Sequence, residues 1–170
     1  LDALTLASIQ TVGINGTGPG QFNAPYDVAI DGGDPSRLYV ADNLNGLDPH
    51  DLNDNISQAA ARLTHEGLFK LDRDMKLVPA LAESFEANAT ATEFVFKLRR
   101  GVSFPDGTPF NAGVVKYSFD RGGNPANKLK RQSIYVMIDR TEVVDDYTVK
   151  VTLKYPFGAF TNNLAHPGAL

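Results

Sequence analysis

The chain has 170 residues, of which 42% are hydrophobic and 21% charged, an ordinary globular composition with room for one domain or one lobe of something larger. Its 16 Lys and Arg against 20 Asp and Glu leave a net charge of −4, which argues against a nucleic-acid binder, since that needs a basic stripe to displace counterions from phosphates. The lack of cysteine excludes disulfides, Cys-ligated zinc and thiol nucleophiles together.

No stretch is apolar enough to span a membrane or to act as an export signal, so an exported protein would carry its signal peptide outside these residues. The first forty-odd residues differ from the rest. Residues Thr11 to Ser36 are dense in Gly, Pro, Asn and Asp, and two short apolar strands, Asp27–Ile30 and Leu38–Ala41, flank the turn Asp31-Gly32-Gly33-Asp34-Pro35. The local reading is a β-hairpin or meander.

From Leu47 the pattern becomes mixed α and β. A helix is expected over Asp51 to Leu63, stopped by Gly67, then a strand over Leu68 to Asp72 with a turn at Arg73-Asp74. Strands follow at Ala82–Ala87 and Glu93–Arg99, joined at Asn88–Thr92. In the second, Phe94, Phe96 and Leu98 alternate with Glu93, Val95, Lys97 and Arg99, the period of a half-buried strand. Beyond the turn Pro105–Pro109, Asn111 can cap a helix from Ala112 to Arg121, with Val114, Val115, Ser118 and Phe119 as its stripe and Gly122-Gly123-Asn124-Pro125 as its stop. A short helical segment is expected over Asn127 to Gln132. Strands at Arg140–Val144 and Thr148–Leu153 hinge at Asp145-Asp146. A last helix is expected from Pro156, with Phe157, Phe160, Asn163 and Leu164 on one face.

Chemistry-bearing motifs are sparse. His50, His65 and His166 form no HExxH pair and no ligand cluster, so structural or solvated roles are expected, with no metal and no cofactor. There is no G-x-S-x-G elbow and no S-x-x-K motif, and nothing in the sequence reads as catalytic. Gly16-Thr17-Gly18-Pro19-Gly20 imitates a phosphate loop but precedes a strand and lacks a following Lys, so it reads as a turn. Asp72, Asp74 and Asp145-Asp146 read as solvated hairpin tips. Arg131, within Lys128-Leu129-Lys130-Arg131, reads first as part of a solvated basic face. Its guanidinium could also grip a carboxylate through two parallel bonds.

Several segments in series carry a resemblance: Leu47-Asp48-Pro49, Glu66–Phe69, Leu81–Phe85, Phe96–Phe104, Asp106–Phe110, Val114–Arg121, and Asp145–Pro156 with Ala159-Phe160 and Leu164–Pro167. In this order they resemble the N-terminal portion of family 5 bacterial solute-binding proteins, and Asn124–Asn127 followed by Leu129–Arg131 leans toward glutathione-binding members. The resemblance implies a mixed α/β (α+β) first-lobe fragment of a two-lobed periplasmic-binding-protein-like fold over residues 43–170. It implies a substrate-binding component of an ABC importer for peptides, glutathione or a short oligopeptide. The partners it implies are the peptide ligand and ABC transporter permease subunits, with no nucleic acid and membrane contact only through the permease. The implied location is periplasmic or extracytoplasmic, and no enzymatic activity is implied. By the same resemblance, Asn53, Asp54 and Asn55 fall where the family presents cleft-facing residues. Arg131 falls where a contact from the smaller subdomain reaches the ligand, and His166 lies near the return to the cleft. The remaining lobe would supply the second wall, without which little of a ligand is buried.

The front of the chain resembles something else. Gly18–Tyr26, Val28–Asp31 and Leu38–Asn45 look like one NHL repeat, a β-propeller blade, with Asp27 where that repeat usually has Gly. Residues 1–42 are therefore expected as an NHL-like β segment, or Leu38–Ala41 serves as the lobe's own first strand. The alternative function is an NHL-type interaction module with the remainder as an appendage.

Overall fold

The computed structural model describes residues 28–30, 38–40, 46–166 and 169. β1 (Val28–Ile30) and β2 (Leu38–Val40) pair antiparallel with Val28 opposite Val40, the hairpin that the intervening turn residues predict. The rest of the NHL-like segment and the Gly16–Gly20 loop lie outside the described residues.

A short 3-10 turn, Pro49–Asp51, leads into α1 (Asn55–Thr64). The helix starts later than expected because Asp54, not Asp51, is its cap: the Asp54 carboxylate accepts from the Ser57 amide at 2.8 Å. β3 (Phe69–Leu71) and β4 (Leu77–Pro79) form a tight hairpin, with Phe69 opposite Pro79. Asp72 holds its tip by accepting from the amides of Asp74 and Lys76.

The centre of the molecule is a four-stranded antiparallel sheet in the order β5 (Ala82–Ala87), β6 (Glu93–Leu98), β8 (Thr148–Leu153), β7 (Ile138–Asp145). Its register explains why one face is dry. Phe94 lies opposite Val151 and Phe96 opposite Val149, so the apolar members of both strands share a face. Glu93, Val95 and Lys97 meet Thr152, Lys150 and Thr148 on the other face, where Lys150 pairs with Glu93 at 2.7 Å. The turn into β8 is fixed by the Asp145 carboxylate, which accepts from the Tyr147 amide at 2.8 Å.

Asn111 caps α2 (Ala112–Gly123) by accepting from the Val114 amide at 3.2 Å. The buried residues of α2 are Ala112, Val115, Phe119 and Gly122, and the helix lies against β7 and β8. The first two residues of the expected stop, Gly122-Gly123, prove to be helical. Gly122 is where the helix seats on the Tyr135 ring, since a Cβ there would fall 2.6 Å from two ring carbons. The helix ends at the Asn124-Pro125 part of the expected stop, and residues before proline avoid the helical region.

The expected helix over Asn127 to Gln132 is split into two 3-10 turns, Pro125–Asn127 and Gln132–Ile134, separated by Lys128 at φ 52°. α3 (Phe160–Asn163) begins beyond Pro156, because the Phe157 amide donates to the Ala91 carbonyl and holds the link extended. Phe160 and Leu164 then enter the core with Phe69, Phe94 and Phe96, as the expected apolar face requires. The result is one mixed α/β unit with a single aromatic-rich core. No helix among the described residues is long and apolar enough to cross a membrane.

Candidate ligand-binding site

Two segments far apart in sequence are locked together on the side of the molecule where α1 begins. The first is Asp48–Leu52. Asp48 caps the 3-10 turn by accepting from the His50 amide at 3.1 Å, and Pro49 supplies a preset first φ. His50 is buried, with 3% of its surface exposed. The Arg121 guanidinium donates to His50 Nδ1 at 2.8 Å and grips the Asp48 carboxylate with both terminal nitrogens.

A guanidinium only donates, so Nδ1 must accept. The neutral ring therefore carries its proton on Nε2, 2.9 Å from Tyr135 Oη. Burial pushes the Tyr135 hydroxyl well above its ordinary pKa, so it stays protonated. The paired Arg121 holds the Asp48 carboxyl below the usual carboxylate range. Each polar group at this junction thus has a partner, as burial demands.

The second segment is the loop after α2. The Lys130 amide donates to Asp51 Oδ1 at 3.1 Å, and the Arg131 amide donates to the His50 carbonyl at 3.0 Å. Arg131 Nε also donates to the Leu52 carbonyl. These bonds fix the guanidinium by its Nε edge and leave its two terminal nitrogens for other work. Among the described residues Arg131 forms no ion pair.

Arg131 lines a solvent-open concavity of about 230 Å³ with Ser133, Ile134, Asn163 and His166. Ser133 and Ile134 come from the 3-10 turn Gln132–Ile134 and Asn163 from α3. His166 lies just beyond α3, and its pKa is pushed below the ordinary imidazole value by burial first, then by the nearby cations Arg131 and Arg62. The wall combines a fixed guanidinium, an amide, a hydroxyl and an imidazole, a set that can receive a carboxylate.

The structure thus brings together Arg131 and His166 from the sequence expectations. Asn53, Asp54 and Asn55 sit one step away at the start of α1, joined to Arg131 through the Leu52 carbonyl. Asn53 and Asn55 are exposed there, while Asp54 is half-buried and capping, and none of the three lines the concavity. Sequence reasoning did not find Asn163 or Ser133 as lining residues, nor the His50–Arg121–Tyr135 junction. The only local signal for that junction is Asp48-Pro49, a cap followed by proline. Among the described residues, no group of three or more His, Asp or Glu is placed to hold a metal ion.

The comparisons with known proteins agree with this architecture. The family model described as bacterial extracellular solute-binding proteins, family 5 middle, matches residues 76–170, more than half of the chain. The glutathione-binding protein GsiB of Pectobacterium atrosepticum is 50% identical over 133 residues, covering 78% of this chain and 26% of that protein. Among solved structures, the binding protein AgaA of A. tumefaciens R10 in complex with agropinic acid superposes with a TM-score of 0.71 at 33% identity. It covers 75% of this chain and 26% of its own. Haemophilus influenzae OppA in complex with the peptide RPPGFSPFR gives 0.68 at 25% identity, covering 73% of this chain and 28% of its own. The chain spans about a quarter of the length of each of these relatives.

Proposed function

This chain belongs to family 5 of the bacterial extracellular solute-binding proteins, and from that premise we propose that residues 43–170 form the N-terminal lobe portion of a peptide-binding component of an ABC importer. The ligand is glutathione or a short oligopeptide, held outside the cytoplasm, in the periplasm or its equivalent, and delivered to the permease subunits. The protein binds its ligand without transforming it. In this reading Arg131 grips a ligand carboxylate, His166 stands beside it, and Asn53, Asp54 and Asn55 present the rim at the start of α1.

The observation that carries the reading is the fixed Arg131 guanidinium. Its Nε is bonded to the Leu52 carbonyl and its amide to the His50 carbonyl, so it faces the concavity already oriented. An anchored guanidinium loses less side-chain freedom on binding than a mobile one, and its planar fork matches a carboxylate.

Grafting residues 46–170 into the corresponding portion of the Pectobacterium relative restores the second wall. Calorimetric titration of glutathione and short peptides into that chimera tests the proposal. Binding of one of them is expected, and Arg131→Ala should weaken it roughly tenfold to a hundredfold, the range for a charge-assisted hydrogen bond. A folded chimera that ignores glutathione and peptides but takes up nickel or a sugar would show that the ligand class is wrong.

A further inference from the structure

Resting on that reading of the site, we propose that Asp51 is a positioning residue for ligand capture: it touches no ligand, and it sets the aim of Arg131 by holding the neighbouring Lys130 main chain on the turn Pro49–Asp51.

Three acceptors from three consecutive residues hold the loop that carries the guanidinium. The His50 carbonyl accepts from the Arg131 amide at 3.0 Å, the Asp51 carboxylate accepts from the Lys130 amide at 3.1 Å, and the Leu52 carbonyl accepts from Arg131 Nε. Two adjacent residues of the loop after α2 are thereby bonded to a turn 79 positions earlier. Two of these acceptors are main-chain carbonyls, which any sequence supplies. Asp51 is the one that comes from a side chain, so the clamp depends on which residue stands there.

Asp51 is itself held in place. Its amide donates to the Asp48 carbonyl at 3.0 Å, closing the 3-10 turn, and Pro49 presets the first φ of that turn. Its side chain reaches the loop and does not line the concavity. The loop needs such a tether. Lys128 sits at φ 52°, in the left-handed region that a residue with a Cβ disfavours. A conformation of that kind persists where bonds on both sides over-determine it. Before Lys128 stands the turn Pro125–Asn127, and after it stands the Lys130 amide on Asp51.

The chemistry asked of Asp51 is acceptance, not charge. The Lys130 ammonium lies 3.9 Å from its carboxylate with the two side chains 47% and 44% exposed, so that ion pair contributes little. The bond from the Lys130 amide needs one oxygen acceptor, and an asparagine side chain offers one at the same reach. Asp51→Ala removes the acceptor, while Asp51→Asn keeps it. Without the acceptor the loop gains freedom while Arg131 keeps its charge. An arriving carboxylate must then order the guanidinium at the moment of binding, which weakens capture.

The test has a ligand-free arm and a ligand-bound arm. In the full 170-residue chain, the Arg131 Nε–H signal in an NMR spectrum is assigned by its loss in Arg131→Lys. It should exchange with water faster in Asp51→Ala and at the wild-type rate in Asp51→Asn. Unchanged exchange in Asp51→Ala would overturn the positioning role whatever the site binds. In the two-lobed chimera, calorimetry should show Asp51→Ala weakening glutathione binding roughly threefold to tenfold, the worth of one hydrogen bond, with Asp51→Asn close to wild type. In an Arg131→Ala background, Asp51→Ala should weaken binding no further, since no guanidinium remains to be aimed. An equal loss in both backgrounds would mean that Asp51 supports the fold in general, and failure of Asp51→Asn to rescue would mean that it acts by charge. Either result overturns the proposal. If Arg131→Ala leaves glutathione binding unchanged, or the chimera binds no glutathione, the carboxylate reading of the site fails and the role of Asp51 in capture fails with it.

Discussion

The sheet core and the Asp48–Arg131 junction are built on opposite principles. In the core, Phe94, Phe96, Val149 and Val151 are all but inaccessible, and their register packs ring against ring and ring against branched side chain. At the junction, a buried histidine is reached by an arginine, a tyrosine and the main chain of a distant loop. Apolar burial is non-directional and tolerates a range of shapes, whereas the junction works only with each donor opposite its acceptor. The first arrangement supplies stability and the second supplies position. Arg131 hangs from the second.

The comparison can be broken most forcefully at Phe96, which has no exposed surface and touches Phe69, Phe94 and Phe160. Phe96→Ala removes a full aromatic side chain and leaves a cavity between β6 and α3, for an expected loss of about 3–5 kcal/mol in chemical denaturation. A loss below about 1 kcal/mol would mean that the sheet core is not the main source of stability.

A second test sits where the two regions touch. Gly122 belongs to α2, and Tyr135 reaches from the junction across it into the core. In a helix interior Gly→Ala ordinarily stabilises by up to about 1 kcal/mol. Here the new methyl would meet the Tyr135 ring at 2.6 Å, so Gly122→Ala should instead destabilise by about 1–3 kcal/mol. It should also displace Tyr135 Oη from His50, and the His50 ring signal in an NMR spectrum would report that separately from the melting curve. A stabilised variant would place the helix farther from Tyr135 than the structure does.

These two sites also show what a sequence can reveal. The alternation in Glu93–Leu98, the cap at Asn111 and the Asp145-Asp146 tip are all local, since each partner lies within a few residues, and each element forms where expected. β4 escaped notice because Leu77-Val78-Pro79 is three residues long and ends in proline, a weak strand signal. Gly122-Gly123 looked like part of a helix stop because nothing local reveals the Tyr135 ring that requires a glycine at 122. The junction lay out of reach for the same reason: Asp48 and Arg121 are 73 positions apart and His50 and Tyr135 are 85 apart. Arg131 stood out by its own guanidinium, though first as part of a solvated basic face, and His166 was singled out only through family resemblance. Their convergence depends on how the loop after α2 and the end of α3 settle on Asp48–Leu52.

The mildest expected effect concerns the junction's charge. The Asp48 carboxyl is held below the ordinary carboxylate value of 3.8, mainly by its bond to Arg121. A carboxyl whose folded pKa is depressed adds stability that is fully present above the unfolded value and disappears as pH falls through the folded one. Wild-type stability should therefore fall on acidification from about pH 4 downward, with a limb that Asp48→Asn lacks. The two side chains are 32% and 41% exposed, so screening by water limits the contribution at neutral pH to about 1 kcal/mol or less. Denaturation curves at a series of pH values would separate the two proteins. Identical acid limbs would mean that the pair positions His50 without stabilising the fold. Asp48→Asn should then still disturb the Arg131 main chain, because the amide that His50 donates to Asp48 and the carbonyl that receives Arg131 belong to the same residue.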